Sequence, residues 1–264
     1  MFARHQPDYV VNLAAQAGVR YSIENPYAYT ETNVTGFLNI LEGCRHNKVK
    51  HLLFASSSSV YGQNKEEIFY ESSPTEHPIS LYAATKKANE MMAHSYAELY
   101  KMPVTGLRFF TVYGPWGRPD MALFMFTKNI LEGKPINVFN NGNMQRDFTF
   151  VEDIVEGISR LIHVIPQETE AKQITEKPDT SSCSYDIYNI GNGQPSQLMD
   201  YIKAIEETLG KKADINFMPL QAGDVPKTFA GTDKLLQNTG FKPRTNIQDG
   251  VRKFVEWYRE YYNV

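Results

Sequence analysis

Short apolar runs alternate with longer stretches of helical spacing through most of this chain, and that alternation restricts its fold more than any other feature. Residues 8–13 and 50–55 are runs of the kind buried on both faces of a parallel sheet. Between them the spacing predicts a helix over 27–47, with Pro26 near its first turn, where a missing N–H is tolerated. A second helix is expected over 81–100, a strand over 104–111, a helix over 151–164 and a strand over 186–190. This order argues for an α/β fold built on a parallel sheet. Segments 197–209, 215–218 and 247–262 predict a smaller lobe that also recruits 113–145, and a polar loop is expected over 166–184. Repeats and low-complexity tracts are absent from the sequence.

Bulk properties exclude several classes of function. The chain has 264 residues, enough for one large or two modest domains with a true core. Its 27 basic and 30 acidic residues are interspersed and leave a net charge of −3, so no nucleic-acid surface is expected. Cys44 and Cys183 form no C-x-x-C pattern, and the 6 histidines, among them His5, His46, His51 and His77, lack metal spacing. No metal is expected, and the cysteine usage fits a reducing cytoplasm. The start, residues 1–6, does not read as a signal peptide, and no apolar stretch reaches membrane length. The aromatic run from Trp257 to Tyr262 reads as packing, Asn141-Gly142-Asn143 as a turn, and Gly191 and Gly193 as a turn after a strand.

The chemistry concentrates in Ser80-Leu81-Tyr82-Ala83-Ala84-Thr85-Lys86. Tyr82 and Lys86 stand one turn apart on the same helix face. A phenol has a pKa of about 10, and a fixed cation beside it favours the phenolate, a proton acceptor for a sugar or alcohol hydroxyl. Such a pair alone occurs by chance on many helices. Its force comes from Ser56-Ser57-Ser58-Ser59, a hydroxyl cluster at the end of the 50–55 run, although serines there also satisfy strand-end backbone groups.

These residues resemble the extended short-chain dehydrogenase/reductase superfamily, its NAD-dependent epimerase/dehydratase branch, over nearly the whole chain. Asn12-Leu13-Ala14-Ala15 is similar to the family's N-x-A-A turn beneath the cofactor, Asn33 to its helix asparagine, and 108–115 to its strand at the substrate cleft. Stretches 15–22, 116–122 and 222–226 resemble UDP-glucuronate 4-epimerases most. The resemblance implies a doubly wound, Rossmann-like parallel sheet. Residues 1–112 with 146–165 and 185–191 would form an incomplete NAD-binding domain, and 113–145 with 192–264 a nucleotide-sugar lobe. The family's glycine-rich strand–turn–helix does not occur here, so the chain resembles a member lacking its N-terminal quarter, about two strand–helix units of roughly 30 residues plus a strand.

Carried over residue by residue, the resemblance implies NAD as cofactor, met by Asn12, Ala14, Ala15, Asn33, Tyr82, Lys86 and Phe109. Ser57, Tyr82 and Lys86 would be catalytic. Arg20, Ser57, Ser58, Ser59, Thr111, Arg118, Arg146 and Asp224 would hold a UDP-sugar, with Arg146 at the diphosphate. The implied reaction interconverts UDP-glucuronate and UDP-galacturonate through a 4-keto intermediate, a step of polysaccharide biosynthesis. Dehydratases of the family carry Asp-Glu where this chain has Ser58-Ser59, and decarboxylases a Glu before Val60-Tyr61-Gly62. The serines favour epimerisation over those two, while an inactive remnant stands as the third alternative. Gln221 matches the glucuronate enzymes, whereas Ala230-Gly231-Thr232-Asp233 departs from the commoner pattern and receives no role. A homodimer is implied through the helices from Tyr27 and Leu81, with Asn39, Met91, Met92 and Tyr96 as candidate contacts.

Overall fold

The computed structural model describes residues 1–169, 177–221 and 223–264. Residues 170–176 of the expected polar loop, and Ala222, lie outside the described residues. The strands in chain order are β1 (Tyr9–Asn12), β2 (His51–Ala55), β3 (Val104–Phe109), β4 (Thr111–Tyr113) and β5 (Ile136–Val138). They continue as β6 (Gln145–Arg146), β7 (Phe148–Phe150), β8 (Tyr185–Ile190), β9 (Ser196–Gln197) and β10 (Ile215–Phe217). The helices are α1 (Phe2–His5), α2 (Tyr21–Glu24), α3 (Pro26–Tyr29), α4 (Gly36–His46) and α5 (Leu81–Tyr100). After them come α6 (Ala122–Leu131), α7 (Val151–Leu161), α8 (Leu198–Leu209), α9 (Asp233–Thr239) and α10 (Ile247–Tyr262).

The main sheet is four-stranded in the order β1-β2-β3-β8, with every pairing parallel. Side chains alternate across it with the strand period. Leu52, Phe54, Val104 and Ile187 enter one core with Phe37, Leu41, Ala93 and Ala97 of α4 and α5. Leu53, Leu107, Tyr188 and Ile190 enter a second core with Ile154, Ile158 and Leu161 of α7. Helices therefore cover both faces, which is why β2 reads as a continuous apolar run and why the sheet is doubly wound. Parallel pairing also puts the carboxyl ends of β1, β2 and β3 along one edge, the place where open α/β sheets bind ligands.

Local chemistry fixes the elements that carry the site. Ser80 caps α5, its Oγ accepting from Ala83 N at 3.1 Å, and the helix closes at Lys101 in the left-handed region, two residues before Pro103. The helix expected over 27–47 forms but is interrupted: α3 passes through a π-helical turn, Thr30–Thr35, before α4 begins. The carbonyl of Asn33 turns aside there to accept from Asn89 Nδ2 at 2.6 Å. The strand expected over 104–111 also divides. Phe110 N still donates to Ile190 O at 3.2 Å, but Thr111 N donates to Asp147 O at 3.1 Å, so the chain passes from β8 to β7 as partner.

The third core is aromatic, with Tyr113, Phe148, Phe150, Tyr201, Phe254 and Tyr258 buried together. Phe148 and Tyr201 stack at 4.1 Å between ring centres. Elements α6, β5 and α9 were not separated in the sequence, where their short runs lie among turn residues. No described helix is long and apolar enough to cross a membrane.

Candidate active site

Tyr82 and Lys86 lie in the first two turns of α5, beneath the carboxyl end of β2. Lys86 is 3% exposed, and its ammonium makes no hydrogen bond to any described residue. Burial brings its pKa down to about 8, and the Glu90 carboxylate one turn further on opposes that fall. Burial pushes the Tyr82 phenol up, while the neighbouring Ser57 hydroxyl and the positive charge of Arg118 favour the phenolate. Arg118, from a loop distant in sequence, adds a second positive charge acting on the phenol.

The serine cluster forms the facing wall. Ser57 caps a short 3-10 turn, Ser58–Tyr61, accepting from Ser59 N at 3.2 Å and donating to Ser59 Oγ at 3.2 Å. Gly62 follows with φ 53°, and a Cβ there would collide with the carbonyl of His77. The turn therefore holds Ser57 against Tyr82 with Ser58 and Ser59 half-exposed at the same strand end.

Arg118 comes from the loop between β4 and α6. Asp120 grips it in a bidentate pair, Nε to Oδ1 at 3.0 Å and Nη2 to Oδ2 at 2.5 Å, which raises the arginine and lowers the aspartate pKa. Gly18, at φ 105°, lets the guanidinium close in, since a Cβ there would stand 3.2 Å from Arg118 Nη2. Tyr29 closes the side, its hydroxyl donating to Gly18 O at 2.6 Å and its ring 6.1 Å from that of Tyr82.

The remaining predicted residues fall into two groups. Arg20, Arg146 and Asp224 meet at the lobe. Arg20 Nη2 lies 3.7 Å from Asp224 Oδ2, and Arg146, lowered by burial, feels the same aspartate. Arg146 Nη1 donates to the carbonyls of Gln145 and Pro226 at 2.9 and 3.1 Å, so its fork is already aimed. Its neighbour Asp147 is buried and accepts from Asn192 N, Gly193 N and Ala230 N at 2.6, 3.0 and 3.0 Å. Asn12, Ala14, Ala15, Phe109 and Thr111 sit at or just beyond the carboxyl edge of the strands, with Ala14 exposed. Asn33 is buried on the π-helical turn. Its Oδ1 accepts from Gln16 N at 2.8 Å, and its Nδ2 donates to Gln16 O and Thr85 Oγ1, both at 3.0 Å, so it braces the 14–16 turn against α5. Tyr29, Asp120 and Asp147 were not singled out from sequence. Asp120 lies inside the stretch 116–122, and Tyr29 carries no local signal.

The profile of the NAD dependent epimerase/dehydratase family matches residues 1–191. The chain belongs to that family. Protein CapI of Staphylococcus aureus is 58% identical over 263 residues, covering 99% of this chain and 79% of that protein. A probable UDP-glucuronate 4-epimerase of Rhizobium meliloti is 50% identical over 259 residues, covering 97% and 76% of the two chains. A UDP-glucuronic acid 4-epimerase from Bacillus cereus, solved with UDP-glucuronic acid and NAD, superposes with a TM-score of 0.84 at 32% identity, covering 97% of this chain and 76% of that one.

NAD is the cofactor of this epimerase/dehydratase family. The donor set suits its nicotinamide–ribose end: a buried ammonium without a described partner, beside a phenol, faces the edge where ribose hydroxyls would lie. Lys86 and Tyr82 would hold that ribose, with Asn12, Ala14 and Ala15 beneath it. A glycine-rich turn for the pyrophosphate is not among residues 1–264.

Proposed function

We propose that this chain carries the catalytic and sugar-binding parts of a 4-epimerase that interconverts UDP-glucuronate and UDP-galacturonate. The observation that carries the reading is Arg118 set beside Tyr82, a fixed cation where an anionic sugar would react, opposite strand-end hydroxyls rather than carboxylates. Names among the relatives and the solved neighbour with UDP-glucuronic acid support it.

NAD, when bound, would supply the hydride acceptor and donor for oxidation and re-reduction at sugar carbon four. Tyr82 accepts the proton of the 4-hydroxyl and gives it back after the keto sugar has turned. Ser57 hydrogen-bonds the reacting oxygen, and Arg118 stabilises the phenolate while the phenol is deprotonated. Ser58, Ser59 and Thr111 offer hydroxyls to the sugar carboxylate. Arg146 and Arg20 take the diphosphate, and Asp224 faces the nucleoside side. Residues 1–112 with 146–165 and 185–191 would then serve the cofactor, and 113–145 with 192–264 the nucleotide sugar. Dehydration or decarboxylation needs a further acid or base, which Ser58 and Ser59 do not supply. Cys44 and Cys183, unbridged and buried, suit a cytoplasmic enzyme.

The test compares Arg118→Met with the parent on UDP-glucuronate and on UDP-glucose. Loss of a charge-assisted contact to the sugar carboxylate lowers kcat/KM for UDP-glucuronate about tenfold more than for UDP-glucose, which shares only the effect on the phenolate. An equal loss on both sugars would remove carboxylate recognition from Arg118.

A further inference from the structure

Beneath the cleft runs a buried polar network that the reacting groups do not touch. Glu90 stands one turn beyond Lys86 on α5 and is fully buried. Its Oε1 accepts from Ser56 Oγ at 2.6 Å and from Arg108 Nε at 2.8 Å. Its Oε2 accepts from Arg108 Nη2 at 2.9 Å and from Lys87 Nζ at 3.3 Å. The other arm of Arg108 donates to Tyr61 OH at 3.1 Å and to Glu71 O at 2.9 Å. Tyr61 in turn donates to Asn189 Oδ1 at 2.6 Å. One carboxylate thus joins the helix of Tyr82 and Lys86, the residue preceding Ser57, and the strand β3.

A buried ion pair is weak evidence for stability, because apolar residues of similar volume often do as well. The placement of this one points elsewhere. Ser56 and Ser57 are consecutive, so the Ser56–Glu90 bond fixes the serine wall against the helix it faces. The charged and titratable groups of this network are Lys86, Lys87 and Glu90 of α5, Tyr61, Arg108 of β3 and Tyr185 of β8. Among these, Glu90 is the one whose charge offsets the burial of Lys86.

We propose that Glu90, clamped by Arg108, is the positioning residue of this active site, locating Ser57 opposite Tyr82 and setting its own charge one helical turn from Lys86. The proposal rests on reading Tyr82, Lys86 and Ser57 as the reacting set, but its test reads Lys86 directly. Lysine side chains of the full chain are labelled with carbon-13, the Lys86 signal is assigned with Lys86→Arg, and its titration is followed by NMR. The parent midpoint is expected at about 8. Glu90→Gln lowers it by about one pH unit or more, a tenfold loss in proton affinity, whereas Glu90→Asp, which keeps the charge, leaves it near the parent. Because Glu90→Gln strands the Arg108 charge, the double variant Glu90→Gln with Arg108→Met, which removes both charges together, is titrated alongside and shows a smaller fall. Midpoints unchanged in both variants would overturn the proposal, as would loss of folding in both, which would assign the pair to stability alone. Turnover that persists in Tyr82→Phe would sink the reading of the reacting set and leave the Lys86 titration untouched.

Discussion

Lys86 shows how a reacting residue can work against the fold that holds it. Its folded pKa of about 8 lies below the ordinary lysine value of 10.5, so the buried ammonium costs stability below pH 8, and the cost fades as pH rises to that of the unfolded lysine. The shift corresponds to roughly 3 kcal/mol at neutral pH. Lys86→Met is therefore expected to raise unfolding free energy by about 1–3 kcal/mol at neutral pH, with no gain at pH above about 10.5, while removing turnover. Urea unfolding across pH checks it, and a destabilised variant at neutral pH would contradict it. The residue types of this site were legible because Tyr82, Lys86 and Ser57 sit in short motifs. The depth of their burial and the reach of Arg118 from a distant loop were not, because neither leaves a local trace.

At the scale of elements, Asp147 joins the start of β7 to the turn after β8 and to Ala230, and so sets where Arg146 points. Asp147→Asn keeps the shape but replaces one accepting oxygen with a donor, leaving buried N–H groups unmatched. A loss of about 2–4 kcal/mol in urea unfolding is expected, together with weaker UDP binding by calorimetry. Unchanged stability would show that the three N–H groups find other acceptors. Most helices and main-sheet strands were readable from apolar spacing, and the bounds of α5 and α10 were read as they stand. The division of 104–111 and the π-helical turn at Thr30–Thr35 were not readable. Both depend on bonds to residues far along the chain, Asp147 for the first and Asn89 for the second.

For the whole molecule, α4 and α5 present an outward face with Leu38 at 39%, Met91 at 47% and Leu99 at 70% exposure. Asn39 is exposed beside them, but Met92 and Tyr96 pack partly into the sheet core, and Tyr96 donates to Glu42 at 2.5 Å. A dimer through this face predicts that Met91→Asp sediments at half the mass of the parent, and equal masses would rule the face out. The α/β architecture was legible because buried parallel strands leave a continuous apolar signature, while the lobe was less so, its aromatic core being gathered from β4, β7, α6, α8 and α10. The account as a whole turns on a hydride that leaves carbon four and returns to the same carbon. Supplied with NAD and UDP-glucuronate bearing deuterium at carbon four, the protein should yield UDP-galacturonate that keeps the deuterium at that carbon. Product whose deuterium has exchanged with solvent would contradict it.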